Sequence, residues 1–480
     1  MRRILLAAVS ALALAGCTVG PNYAAPGHPH SASGAFVGAQ NAPAVTPEPV
    51  AGDWWRLYDD PVLDRLVADA LVHNTDLRVA VANLAKARAS LREAGADRLP
   101  QAGVGASAQY GRLPASQRAP GADRENWNVD AGLSVSYEVD LFGRISRNVE
   151  AARGDVAAAA ADADAVRVMV AAETARAYAD SASTAARLDV ARHIVTLLDQ
   201  SSDLTRRRVN VGLAAPLDVA RIAALRNQRQ ADLPALQAAH EAALFRLATL
   251  TGRPPADLPS EAGARTTMLR LDRPIPVGDG AALLARRPDV RSAERRLAAS
   301  TARIGVATAD LYPRVTLGGS IGSTGTGFSD FFGAGPLRWL VGPLLNWSIN
   351  QSAARARIAG AQADSQAALA SFDGAVLGAL RETETALSAY KGAIEQRQAL
   401  AAARDEAAKA ADITRARQRE GAIDGLEALD AERTLADAQA ALAVADAAIA
   451  ERQIDLFRAL GGGWQDAPQV AQGGAGKAKG

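Results

Sequence analysis

The chain has 480 residues, with 53 Lys plus Arg against 52 Asp plus Glu and a net charge of +1. That balance argues against a nucleic-acid binder, which carries a basic excess, and a single Cys excludes an intrachain disulfide or a Cys-rich metal site. Aromatics are only 4% while apolar residues reach 49%. The apolar content is therefore mostly Ala, Leu and Val, and Ala is the strongest helix former. No internal run reaches the roughly 18 consecutive apolar residues of a transmembrane helix.

Arg2 and Arg3 precede the apolar stretch Ile4 to Leu14, which has signal-peptide length. Leu14-Ala15-Gly16-Cys17 then resembles a bacterial lipoprotein processing box. Residues 1–16 read as the signal peptide and Cys17 as the acylated new first residue, and no cofactor besides this covalent lipid is expected. Processing removes two arginines and leaves a net charge of −1. Thr18 follows, not the Asp that favours inner-membrane retention in such lipoproteins. Each buried lipid CH₂ contributes about 0.8 kcal/mol, so several acyl chains anchor firmly. Residues 17–61 read as a lipidated extended arm, Pro-, Gly-, Ser- and Ala-rich to residue 52, with His28 and His30 in a solvated loop.

The rest is a duplication. Asn74 to Arg78 is echoed by Arg287 to Arg291, Leu99-Pro100 by Tyr312-Pro313, and Glu173-Thr174-Ala175 by Glu384-Thr385-Ala386. The copies run 62–252 and 275–463, with a linker at 253–274 and a flexible tail at 464–480. Each begins with helix (Val62 to Arg98; Ala281 to Leu311), broken near Asn74 and near Pro288. A β-like segment follows, and then a very long helix. Arg144 to Val209 alone makes roughly 100 Å of helix at 1.5 Å per residue. The chain turns back at Gly212 to Pro216 and again at Gly421 to Gly425.

The β segments alternate with period two. Trp127, Val129, Ala131, Leu133, Val135 and Tyr137 oppose Asn128, Asp130, Gly132, Ser134 and Ser136. Apolar-out, polar-in strands of about 9–11 residues with aromatic ends suit a membrane barrel. Gly103 to Tyr110 is the partner strand, so the first hairpin spans about 103–139. The second spans about 314–349, with Val315, Leu317 and Ile321, then Trp339, Val341, Leu345 and Trp347 on one face. Tyr110, Trp127, Tyr137, Trp339 and Trp347 are the candidate aromatic girdle. Four strands cannot close a barrel, and open edges cannot sit in lipid. Closure needs several chains, and a conduit needs at least three, because eight strands are filled by their own side chains.

These features resemble the TolC-like outer-membrane factors, in the lipoprotein branch serving resistance-nodulation-division (RND) efflux pumps. The resemblance rests on Cys17-Thr18-Val19-Gly20-Pro21-Asn22-Tyr23, Trp54-Trp55-Arg56-Leu57-Tyr58-Asp59-Asp60-Pro61 and Tyr137-Glu138-Val139-Asp140-Leu141-Phe142-Gly143-Arg144. Its most specific block is Arg286 to Arg291 leading to Ala302-Arg303-Ile304-Gly305-Val306-Ala307. One departure occurs after Trp347, where Ser-Ile-Asn-Gln-Ser replaces the family's common Phe-Asp-Gly-Gly at a strand-to-helix join. The resemblance implies a mixed fold, a membrane β-barrel plus a long α-helical barrel. It also implies a homotrimer with a twelve-stranded barrel and a twelve-helix periplasmic tunnel in a Gram-negative outer membrane. The implied partners are a periplasmic adaptor, an inner-membrane RND transporter and outer-membrane lipid. The family's periplasmic gate maps onto Leu426 and Asp430, one helical turn apart, and the matching positions in the first copy are Leu217 and Arg221. A latch from Arg221 to an acid such as Asp430 is a further expectation.

Enzyme chemistry is not expected. Gly318-Gly319-Ser320-Ile321-Gly322 matches a nucleophile-elbow pattern, but it sits in an alternating β segment and not in a strand–turn–helix. His73, His193 and His240 have no metal-ligand spacing. Two readings stay open beside the efflux duct: a duct for type I protein secretion, and a periplasmic coiled-coil scaffold without a barrel. The exported substrates are not legible.

Overall fold

The computed structural model of the chain describes residues 18–27, 30–40, 42–112, 114, 116, 123–325, 337–420, 422–423 and 425–465. In chain order the main elements are β1 (Val45–Thr46), α1 (Pro61–His73), α2 (Thr75–Ala96), β2 (Gln101–Arg112), β3 (Glu125–Val139), α3 (Arg144–Asn210) and α4 (Pro216–Leu250). Then come β4 (Ile275–Pro276), α5 (Gly280–Arg286), α6 (Pro288–Ala309), β5 (Arg314–Gly325), β6 (Leu337–Asn346), α7 (Ser352–Arg419) and α8 (Gly425–Ala459). The same order therefore occurs twice: two helices, a strand pair, a helix of 67 or 68 residues, and a helix of 35.

The chain divides into two compact units. The first comprises Met1–Pro26, Asn83–Ala159 and Ser292–Asp373. It holds a four-stranded antiparallel sheet in the order β2-β3-β5-β6. The β3–β5 pair joins the strands of the two repeats, with Gly132 opposite Gly322. A Cβ on Gly322 would come within 2.5 Å of the Ala131 carbonyl oxygen, so only glycine lets these backbones approach. At the strand-to-helix joins, Asp140 accepts hydrogen bonds from the N–H groups of Ile145 (3.0 Å) and Ser146 (2.8 Å). Asn350 does the same for α7, accepting from the N–H (3.1 Å) and hydroxyl (2.7 Å) of Ser352. The departure after Trp347 thus still supplies a helix cap.

The same unit clamps the start of the arm. Arg147 donates to the carbonyls of Val19 (3.2 Å) and Gly20 (3.4 Å) and to Asn22 Oδ1 (2.7 Å). Gly20, at φ +90°, lies so close that a Cβ would stand 2.4 Å from Gly305 Cα. Tyr23 donates to Glu294 at 2.7 Å, and the Arg295 guanidinium lies over its ring.

The second unit comprises Gly27–Ala82, Ala160–Arg291 and Gly374–Gly480. Its core is built around Trp54, which is fully buried and stacks on Phe457 at 4.7 Å. Phe36, Val50, Trp55 and Tyr58 join it, so part of the arm is core. Helix α1 starts at Asp60, which accepts from the N–H groups of Val62 (2.9 Å) and Leu63 (3.2 Å), with Pro61 at the first helical position. Leu63, Leu66, Val67, Ala70 and Leu71 form its buried stripe. Asn74 breaks the helix and caps α2 through the N–H groups of Asp76 (2.9 Å) and Leu77 (3.1 Å).

Two buried polar side chains of this unit gather several partners each. Gln453 accepts from Tyr58 OH (3.3 Å) and Leu271 N–H (3.2 Å), and donates to Leu271 O (2.9 Å) and Tyr390 OH (3.2 Å). Arg287 donates to both carboxylate oxygens of Asp289, to Glu382 at 2.8 Å and to the Ala459 carbonyl at 3.0 Å. Arg287 and Gln453 therefore hold the returning end of α8 and the interrepeat segment in place.

Candidate functional site

The sheet has one almost wholly apolar face, and the register shows why. Cross-strand partners share a face. Tyr110 stands opposite Trp127, Val104 opposite Leu133, Leu133 opposite Ile321, and Ile321 opposite Trp339. The apolar positions of β2, β3 and β5 thus fall on one side, together with Trp339, Val341 and Leu345 of β6. Val104, Leu133, Leu317, Ile321, Trp339 and Val341 are all exposed there in the single chain. Strands of 10 to 15 residues are long enough to cross a hydrocarbon core. The opposite face is polar apart from Leu340 and Leu344 of β6, and its Asp130 accepts from Thr324 (2.7 Å) and Arg338 (2.6 Å). This ties β3, β5 and β6 together with no net charge. Ser320 lies mid-strand on that face, opposite Ser134 and Leu340.

Tyr110 and Trp127 pack with ring centroids 5.6 Å apart where β2 and β3 approach their connecting loop. Tyr137 lies near the helix end of β3. Trp339 is in β6, and Trp347, just beyond it, donates from Nε1 to the Leu311 carbonyl at 3.0 Å. Cys17 lies outside the described residues, but Thr18 next to it packs against Gly143, at φ +77°, in the join between β3 and α3.

The helical turns form a separate candidate site in the second unit. Gly212 adopts φ +76°, and the Leu213 N–H bonds back to the Arg208 carbonyl at 2.8 Å. This left-handed cap ends α3, and Pro216 opens α4. Leu217 is 57% exposed beside exposed Val211 and Leu213. In the second turn Gly421 and the side chain of Leu426 lie outside the described residues, and Gly425 begins α8. Asp430 is exposed on α8, and its carbonyl accepts from Thr434.

Among the described residues of one chain no ion pair joins Arg221 to Asp430. Arg221 pairs with Asp218 of its own helix at 3.8 Å, residues three positions apart being neighbours on a helix surface. Other contacts join the two helical hairpins. Arg208 donates to the Gln418 carbonyl at 2.8 Å, linking α3 to α7. Arg229 binds Asp437, linking α4 to α8. Within the second hairpin Arg415 grips Glu432 with both arms of its fork. Nothing in residue spacing points to these partners. His73 and His240 bond to the carbonyls of Asp69 and Ser181, each at 3.0 Å, and His193 is exposed on α3.

Comparison with known proteins bears directly on this geometry. The sequence model of the family described as "Outer membrane efflux protein" matches residues 66–253 and again 281–462. The chain belongs to that family. Residues 1–18 match the prokaryotic membrane lipoprotein lipid attachment site. The chain is 32% identical over 462 residues to outer membrane protein OprJ of Pseudomonas aeruginosa, covering 95% of each. It is 32% identical over 421 residues to the pyoverdine export outer membrane protein OpmQ of Pseudomonas putida, covering 86% of this chain and 89% of that one. Among solved structures, the outer-membrane channel OprN superposes with a TM-score of 0.86 at 38% identity, over 94% of this chain and all of the other. The open state of the Neisseria gonorrhoeae MtrE outer membrane channel gives 0.81 at 27% identity, over 95% of this chain. The fold is thus that of the TolC-like channels, and the protein is a lipid-anchored outer-membrane efflux protein.

Proposed function

We propose that three copies of this chain close one twelve-stranded barrel and serve as the passive exit duct of a tripartite efflux pump. The observation that carries this reading is the sheet: one apolar face, one polar face and two open edges, β2 and β6. Open edges in lipid leave backbone groups unsatisfied at several kcal/mol each. Pairing β6 of one copy with β2 of the next removes every edge, and twelve strands enclose a wider interior than eight. Cys17 carries the lipid, and Tyr110, Trp127, Tyr137, Trp339 and Trp347 mark the two interfaces. The chain has no catalytic role. An inner-membrane RND transporter supplies the energy and selects small-molecule cargo, and a periplasmic adaptor bridges it to the duct.

The helical turns are the gate. Leu426 and Leu217 supply apolar constriction, and three copies of Asp430 form an anionic ring that favours cations. The ties Arg208 to Gln418 and Arg229 to Asp437 hold the two hairpins of each copy together. The test has two arms. The purified protein should run as a heat-modifiable, SDS-resistant trimer from the outer-membrane fraction. Deletion should sensitise cells to small toxic compounds without blocking protein secretion. A monomer confined to the periplasm would overturn the reading.

A further inference from the structure

Strand β6 breaks the alternation that β2, β3 and β5 keep. Leu340 and Leu344 stand on the polar face, 70% and 64% exposed, with Gly342 between them. Within the chain they oppose Ser320 and Thr316 of β5. Strand β2, the other open edge, is the reverse. Its polar-face positions include Gly103, Gly105, Ser107 and Gly111. A Cβ on Gly105, Gly111 or Gly342 would meet nothing within 4 Å in a single chain. The packing of one chain therefore does not require glycine at these places, although glycine weakens a strand and often marks a close approach by another group.

We propose that Leu340 and Leu344 of one copy pack over the glycine-lined edge of β2 in a second copy, and that this seam sets the register between copies. It rests on the trimer reading and names the contact that closes the barrel. The directions agree: three successive antiparallel pairings leave β2 and β6 running oppositely, so the free edges meet antiparallel. The heights require a stagger. Leu344 lies level with Glu138 through Thr316, whereas β2 begins at Gln101 opposite Ser136. An unshifted closure would leave Leu344 beyond the start of β2. The stagger of a tilted barrel moves it along β2, where the facing positions are small. A leucine there covers the bare glycine backbone and keeps water from the ladder that joins two copies. The same fit already exists inside the chain, where Leu344 Cδ1 lies 3.4 Å from the place a Cβ on Gly318 would occupy.

The experiment compares wild type, Gly105→Leu, Leu340→Gly with Leu344→Gly, and all three substitutions together. The readout is the temperature at which the SDS-resistant trimer falls to monomer. Gly105→Leu and the leucine double variant should each cut the trimer remaining at the wild-type midpoint by about tenfold or more, because each leaves a clash or a cavity. The triple variant should recover most of the Gly105→Leu loss, since the added leucine then fills the space vacated across the seam. In the assembled trimer, Leu344→Cys should react slowly with a water-soluble maleimide and Asn128→Cys, on the same face of β3, rapidly. Equal trimer stability in all variants, strictly additive losses in the triple variant, or fast labelling of Leu344→Cys would overturn the seam while leaving the trimer standing. Absence of a trimer from wild type would overturn the trimer reading itself.

Discussion

Loosening the two helical hairpins from each other should open the duct, and the structure sets the scale. The perturbation is Arg208→Ala combined with Arg229→Ala. Arg208 donates to the Gln418 carbonyl at 2.8 Å from a part-buried position, and a hydrogen bond from a charged group contributes about 1.5–3 kcal/mol. Arg229 meets Asp437 with side chains 19% and 51% exposed, so solvent screening limits that pair to at most about 1 kcal/mol. Together they hold each copy by about 1.5–4 kcal/mol, which moves a two-state equilibrium about 10- to 900-fold. The control is Arg206→Ala, whose ion pair with Asp203 lies within one helix at 3.2 Å. In planar bilayers the double variant should show a much higher open probability than wild type, and cells bearing it should admit bulky antibiotics. A properly assembled double variant with wild-type conductance and wild-type exclusion would refute the reasoning.

Gln453→Leu strands the N–H and carbonyl of Leu271 in the core and should cost about 2–4 kcal/mol, read as a lower denaturation midpoint. Burial pushes the Asp180 carboxyl up to about 6, with Glu451 adding to the rise. A folded value above the ordinary one means that the charged form costs stability. This cost is fully present above about pH 6 and is relieved as the pH falls toward the usual carboxylate range. Asp180→Asn should therefore raise the melting temperature at about pH 8, with the gain shrinking at about pH 4.5. Arg147→Ala should free the arm at Val19 to Asn22, seen as new protease cleavage there, while lipid labelling at Cys17 persists.

Much of the fold was legible because local chemistry and tertiary demand agree. Trp127 to Tyr137 alternates strictly because one face meets lipid and the other does not. Gly212 and Pro216 are the residues a helix end and a helix start prefer, and Asn74 both ends one helix and caps the next. Other features have no local signature. The alternation stops being informative in β6, where Leu340 and Leu344 answer to a neighbouring edge and not to the strand's own faces. Pro234 sits exposed inside α4, although a proline there removes a helix hydrogen bond. The pairings of Arg208, Arg229 and Arg287 join residues far apart in sequence, and an arginine's long stem lets several acids compete. Within the chain Arg221 pairs with Asp218 of its own helix, a contact that spacing alone does not single out. Gln453 reads as one more polar residue on an Ala-rich helix, and only the convergence of Tyr58, Tyr390 and Leu271 gives it a role.

The proposed trimer is a conduit whose tip carries a ring of Asp430 carboxylates. Single-channel recording of the purified protein in planar bilayers, with wild type beside Asp430→Ala, tests it most directly. The expected result is a small, cation-preferring conductance in wild type, and a larger conductance with weaker cation preference in the variant. A folded trimer that passes no current in either form would contradict it.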